Sequence, residues 1–405
     1  MNKHMNKQFL YIEPYVYSVF KNNQILLYNT LSGEKIIEKI HDQSLSLLLN
    51  KILNKSKFRT IEFEYDKVSK ETINFIDKCK DLFLLDIHSG EKPFLVPFAM
   101  KVMYDKKYLQ SSDSVNKISA QINQLNIVLG KSTFCKNELL NSVGIKQFLF
   151  PSDLGKNDTI DAIKLLNMLS KIKFNLDAVN IIGDYFQYHD LQLISNNFSD
   201  TYISYYAYYL DFQESFFENQ KFTKNAFVFW IDFPCNETYI KNMIAFLRKN
   251  NIDFQISFII TSNDDFDKLE NLKIGDDFDK NIVPFYNKSN IDFFQENVFI
   301  NETDIFEQGI ISNKDIFSNM LYNKLFLGKL YFLPDNKIYP NPNFSPLGNT
   351  EDNWTYILQT KLLKNPCWFK KRTNSICANC VYQYLCPPIS NYNLVLDKEN
   401  LCNIK

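Results

Sequence analysis

Cysteine is the residue type whose spacing in this chain points to chemistry. Five of the eight cysteines fall in the last forty residues: Cys367, Cys377, Cys380, Cys386 and Cys402, with Pro387 and Pro388 directly behind the fourth. The C-x2-C step from Cys377 to Cys380 sets two thiols one turn apart, close enough to share a metal. Cys386 and Cys402 complete a set of four soft ligands if the chain folds back on itself. Zinc accepts four thiolates, but zinc ribbons use two C-x2-C knuckles and this chain has one. A [4Fe–4S] cluster tolerates irregular spacing and is the favoured occupant, with zinc as the alternative. Two disulfides and a spare thiol form the structural alternative, which needs an oxidising compartment. The opening MNKHMNKQFLYIEPYVYSVF has neither an uninterrupted apolar core nor a small-residue cleavage site, so the expected location is a reducing cytoplasm.

The spacing C-x2-C-x5-C followed by a distant cysteine resembles the auxiliary-cluster region called SPASM, found at the C-terminus of radical SAM peptide maturases. KLYFLPDNKIYPNPNFSPLGNT (Lys329 to Thr350) looks like its opening hairpin and CANCVYQYLCPPISNY like its cysteine core. Two departures stand out: the hairpin region has no cysteine, and the fourth core position is Ser390. By that resemblance the ligands of the first auxiliary cluster are missing, while Cys377, Cys380, Cys386 and Cys402 correspond to a complete set for the second. One [4Fe–4S] cluster is implied, and Cys367 is left unassigned beside Trp368.

The elements that must position these residues divide into three stretches. Residues 8 to 28 carry two strand patterns separated by turn residues Lys21-Asn22-Asn23. From Glu34 to Leu53 apolar residues recur at helical spacing, with Asp42 and Ser44 able to start a second helix, and Ser69 caps a helix from Lys70 to Phe83. Strands followed by short helices suggest a small α+β winged-helix-like lobe over 1–95, similar to the leader-recognition element of ribosomally made peptide maturases. An extended leader would bind its sheet edge, because an edge offers unpaired N–H and C=O groups. Glu91 to Pro97, EKPFLVP, is the expected boundary, and SSDSVNK (Ser111 to Lys117) a helix start.

From Gln124 onward strand and helix patterns alternate. Strands are predicted at 125–129, 147–151, 178–182, 202–210, 227–233, 254–260 and 281–286, and helices at 158–170, 190–197, 237–249 and 264–272. This predicts an α/β fold over 96–325, and the resemblance implies a degenerate partial (β/α)6 radical-SAM-like barrel, with the SPASM-like cysteine-rich region at 326–405. In radical SAM enzymes the loop after the first strand carries C-x3-C-x2-C. Here that stretch reads LGKSTFCKNELLNS, with Cys135 alone, and the triplet occurs nowhere in the chain. The resemblance therefore implies no S-adenosylmethionine cleavage and narrows to the pseudo-radical SAM/SPASM maturases of GG-leader peptide systems. The implied partners are a precursor peptide and a modifying enzyme of the same pathway. An enzyme acting through its one cluster, or a zinc-stapled binding module, are the competing readings.

Composition excludes other classes. Forty-five basic against 46 acidic residues leave a charge of -1, so no basic footprint points to nucleic acid or an anionic membrane. No apolar run reaches the ~18 residues of a membrane span. Only 10 glycines argue against phosphate cradles, and Gly130-Lys131-Ser132-Thr133 lacks the earlier glycine of a phosphate loop, Leu125 standing there. The four histidines are scattered, Cys79 and Cys235 are expected as buried small hydrophobes, and the Asp264-Asp265-Asp267 and Asp276-Asp277-Asp279 groups as loops and helix starts. No catalytic residue is assigned.

Overall fold

The computed structural model describes residues 7–56, 59–93, 106–110, 113–130, 132–152, 159–171, 174–218, 225–275, 278 and 280–404. Most of the Glu91–Pro97 boundary, Ser111 and Ser112, Lys131, and the Asp276-Asp277-Asp279 group lie outside the described residues.

The N-terminal strands are β1 (Gln8–Ile12), β2 (Val16–Lys21), β3 (Gln24–Asn29), β4 (Lys35–Lys39), β5 (Thr60–Phe63) and β6 (Leu85–Ser89). They form two antiparallel three-stranded sheets, ordered β5-β1-β6 and β2-β3-β4. Asn22 and Asn23 turn β2 into β3 at φ of 51° and 57°, the left-handed pair that matches hairpin twist. Helical periodicity from Glu34 is not what forms first: Ile36 and Ile37 lie on β4, paired with Leu27 and Leu26. Their β-branched side chains favour the pleat once Gly33, at φ +82°, returns the chain antiparallel. The helix begins later, at Gln43–Asn50, where Asp42 Oδ1 accepts from Leu45 N at 2.6 Å. Lys70–Asp81 follows with Ser69 as cap and Thr72, Phe75, Ile76 and Cys79 buried at helical spacing. Strands and helices thus interleave in this lobe rather than following one another in blocks.

The remaining strands are β7 (Gln124–Val128), β8 (Ala178–Ile182), β9 (Tyr202–Tyr208), β10 (Asn225–Ile231), β11 (Phe254–Ile260), β12 (Lys280–Pro284), β13 (Lys329–Phe332), β14 (Lys337–Tyr339) and β15 (Gly348–Asn349). They build one nine-stranded sheet, β12-β11-β10-β9-β8-β7-β13-β14-β15, parallel from β12 to β13 and antiparallel beyond. The fold is α/β. One face of the sheet is almost wholly apolar: Leu125, Ile127, Val179, Ile181, Phe227, Phe229, Ile256 and Phe258 are buried in the main core. Helices cover it, for example Glu237–Lys249, capped by Asn236 and burying Ile240, Met243, Ile244 and Leu247.

The other face is different in kind. Register sets Lys329 beside Gln124, and Tyr331, Asn126, Asn180 and Ser204 in one row. A further row runs Trp230, Ser257, Asn281. Amide side chains bond one another there, Asn180 Nδ2 and Gln124 Nε2 both donating to Asn126 Oδ1 at 2.7 and 2.9 Å.

The stretch 147–151, predicted as a strand, is instead a plug on this face. Its amides bond locally, Gln147 N and Phe148 N to Gly144 O at 2.8 and 3.0 Å, so it joins no ladder. Phe148 packs on Trp230 at 4.7 Å between centroids, and Trp230 Nε1 donates to Leu149 O at 2.7 Å. Gln147 brackets Tyr286, accepting from its N and donating to its O at 2.8 and 2.9 Å. Ile145 and Leu149 join Val128, Ile182, Tyr331 and Leu333 in an apolar cluster at the carboxyl ends of β7, β8 and β13.

Candidate metal centre

Cys377 lies in the short helix Ser375–Asn379, whose cap Asn374 accepts from Cys377 N at 2.7 Å. Cys380 ends that helix. Cys386 closes the following turn through its N–H to Tyr382 O at 2.9 Å. Cys402 arrives from the far end, held by a parallel bridge to Ile300. All four thiols line one cavity of ≈ 230 Å³ together with Arg372, Gln383 and Tyr382. All eight cysteines are free, so the paired-disulfide alternative is not what forms.

The loop is braced by groups distant in sequence. Asn319 Nδ2 donates to Tyr384 O and Cys386 O at 3.0 and 3.2 Å, and Asn323 Nδ2 to Ile389 O at 2.8 Å. Arg372, 8% exposed, donates from Nε to Pro387 O at 2.8 Å and from Nη1 to Glu399 O. Glu399 accepts from Asn374 N at 2.9 Å and from Lys370 Nζ at 2.8 Å, and these contacts hold its carboxyl below the usual range against the opposing effect of burial. From the N-terminal lobe, Lys21 Nζ donates to Ala378 O, Cys380 O and Gln383 Oε1 at 2.8, 3.3 and 3.0 Å.

Burial pushes the thiols of Cys377 and Cys380 up, and that of Cys386 up to about 12, while Arg372 pulls all three down. A bound cation would reverse the balance by taking the thiolate form. Among the described residues no three His, Cys, Asp or Glu side chains gather closely enough to hold a metal ion. The four sulfurs ring a cavity rather than meet at one point.

The other cysteines stand apart. Cys367 is fully buried in the main core with Trp368, Cys79 lies in the N-terminal core, and Cys235 packs half-buried against the main core. Cys135 is buried in the loop after β7, its thiol pushed up to about 12 by burial and by Asp232. That loop is folded onto Asp211, whose Oδ1 accepts from Thr133 N and Oγ1 at 3.2 and 2.9 Å. Asp265 starts a helix, accepting from Thr261 N and Oγ1 at 2.9 and 2.7 Å.

The four thiols singled out by spacing line one cavity. Arg372, Lys21, Asn319 and Glu399 carried no local signal, since each acts through a contact remote in the chain. Compared with known proteins, the chain matches no family model and no curated sequence.

Proposed function

We propose that the protein is a catalytically silent member of the radical SAM/SPASM type, acting in the maturation of a ribosomally made peptide by binding the precursor and presenting it to a modifying enzyme. The observation that carries this reading is the contrast between two loops. Four thiols share one cavity at the C-terminus, whereas the loop after β7 offers Cys135 alone, closed onto Asp211, with a side-chain plug filling the neighbouring strand ends. On this reading the parallel strands form a partial barrel whose cofactor end is filled.

Cys377, Cys380, Cys386 and Cys402 would hold one [4Fe–4S] cluster. The donor set fits in kind: four thiols, with the Arg372 and Lys21 cations nearby to offset thiolate charge. A cluster is preferred to a single zinc ion because the sequence has one C-x2-C knuckle where zinc ribbons use two. With every iron capped by a thiolate, such a group supplies a structural cross-link and an electron store, without an open coordination site.

The N-terminal lobe supplies the peptide surface. β2 is the outer strand of its sheet, and a groove of ≈ 350 Å³ runs between it and the helix Asn313–Leu321, lined by Val16, Ser18, Ile316, Phe317 and Tyr384. Ser18 Oγ is buried there without a partner among the described residues. An extended peptide would pair with the free edge and set alternate side chains into the groove. The test is fluorescence polarisation with the precursor peptide encoded beside the gene. Binding should be saturable and weakened at least tenfold by Ser18→Pro, which removes an outward edge N–H, Ser18 lying between the pairs that bond β2 to β3. No affinity for that peptide sinks the reading. Anaerobic iron and sulfide assays with visible absorption decide the metal: a colourless protein with one zinc per chain would select the zinc-stapled module.

A further inference from the structure

The polar face of the nine-stranded sheet holds a third cavity, of ≈ 390 Å³, with no cysteine in its lining. It reaches from Gln124 and Lys329 at the amino ends of β7 and β13 to the plug, whose Phe148 and Leu149 line it. Its polar lining comes from Gln124, Gln255, Ser257, Asn281, Asn391 and Lys329, and aromatic walls from Phe148, Trp230 and Tyr392. The volume falls in the range of small-molecule sites, about 300–1,000 Å³.

Lys329 is the cation of this lining, and no carboxylate is among the lining residues. Its ammonium has no ion pair or hydrogen bond among the described residues, and it stands half-buried on an inner strand. Burial lowers its proton affinity with no charged neighbour to oppose the effect. An unpaired ammonium held away from water is costly, and a leucine or methionine would fill the position without that cost. The Gln255 side chain likewise makes no hydrogen bond among the described residues, whereas Gln124, Gln147 and Asn391 are engaged by neighbouring amides and carbonyls. The free hydrogen-bonding capacity is thus one ammonium and one amide, in a cavity that the Trp230 and Phe148 rings also line.

We propose that this cavity binds a small organic carboxylate with a planar apolar body, its carboxylate on Lys329 Nζ and its body against Trp230 and Phe148. One ammonium matches a monoanion better than a phosphate dianion. The proposal is independent of the cysteine centre and of the peptide groove.

Titration of the full chain with indole-3-acetate, followed by calorimetry, tests it. Saturable binding is expected, at least tenfold tighter than for indole-3-acetamide, which keeps the body and loses the charge. A short peptide ending in tryptophan, as free acid and as amide, asks whether the carboxylate arrives as a free acid or as a chain terminus; preference for the acid form in either series supports the site. Lys329→Met should lose at least tenfold in affinity while keeping or raising the melting temperature, because an unpaired cation is removed. Equal affinity for acid and amide, absence of saturable binding, or unchanged affinity in a folded Lys329→Met protein would each overturn the assignment. Phosphate displacing the acid would overturn the carboxylate class. The acid-against-amide comparison uses the unaltered protein, so it stands even if the variant does not fold.

Discussion

At the scale of single residues, the same atom type does two jobs that neighbours decide. Cys380 and Cys367 are both largely enclosed, yet one faces three other thiols across a cavity and the other faces Trp368 and the main core. On the proposed cluster reading, Cys380→Ala should abolish metal content, while Cys367→Ala should retain it and cost about 1 kcal/mol for the small void; metal analysis with denaturant titration of both variants separates the roles. Carboxylates at the strand ends give a pH signature. Burial first, and Asp211 next, push the Asp184 carboxyl up to about 6. A folded-state value above the unfolded one means the native protein binds the extra proton, so stability falls as pH rises from about 4 to about 6 and levels off above. Asp184→Asn should remove that slope, stabilising by ~1–2 kcal/mol near neutrality, after allowance for its partial exposure, and by nothing near pH 4. Melting curves across that range check it, and a gain of equal size at both ends would contradict the assignment.

At the scale of elements, the loops after β7 and β8 approach so closely that one of them admits no side chain. Gly183 sits at φ +132°, and a Cβ there would meet Gly130 O at 2.6 Å. Gly183→Ala should cost ~2–4 kcal/mol by strain and backbone displacement together. Gly90, at φ +120° with nothing within 4 Å, pays strain alone, so Gly90→Ala should cost about 1 kcal/mol; urea midpoints of the two variants compare them. What the sequence made legible follows similar logic. β8, β11 and the helix Glu237–Lys249 have the bounds their residues imply, because apolar period, capping Asn236 and flanking turns agree. QFLFP misled because a buried plug and a buried strand have the same composition; only the destination of its backbone amides tells them apart. β4 misled because Ile36, Ile37 and Ile40 fit a helical stripe as well as a strand, and pairing with β3 decided the outcome. Spacing singled out four thiols that share a cavity, but the cations and amides that brace their loop reach it from remote segments, and Lys329 enters its cavity through the register of β13 on β7.

At the scale of the molecule, the cysteine loop is the place where distant parts meet. Tyr17, Leu26 and Tyr28 from β2 and β3 share a core with Ile305, Ile316, Val381, Tyr382 and Leu385, and Tyr28 Oη accepts from Ile311 N at 2.7 Å. Lys21, at the tip of the β2–β3 hairpin, adds its three hydrogen bonds to the cysteine turn. Order in the hairpin and order around the thiols should therefore rise and fall together, since each fixes groups the other binds. The share of this coupling carried by Lys21, whose contacts are half-exposed, is ~1–2 kcal/mol. Lys21→Ala should, in hydrogen exchange, loosen the amides of β2 and, on the proposed cluster reading, speed metal loss to a chelator several-fold. Conversely, Cys380→Ala should loosen those same β2 amides while leaving β8 and β9 at the centre of the large sheet protected. Unchanged β2 exchange in the Cys380 variant would show that the hairpin and the thiol site hold their shapes independently, and a peptide bound along the β2 edge would then have no route by which metal loading alters its affinity.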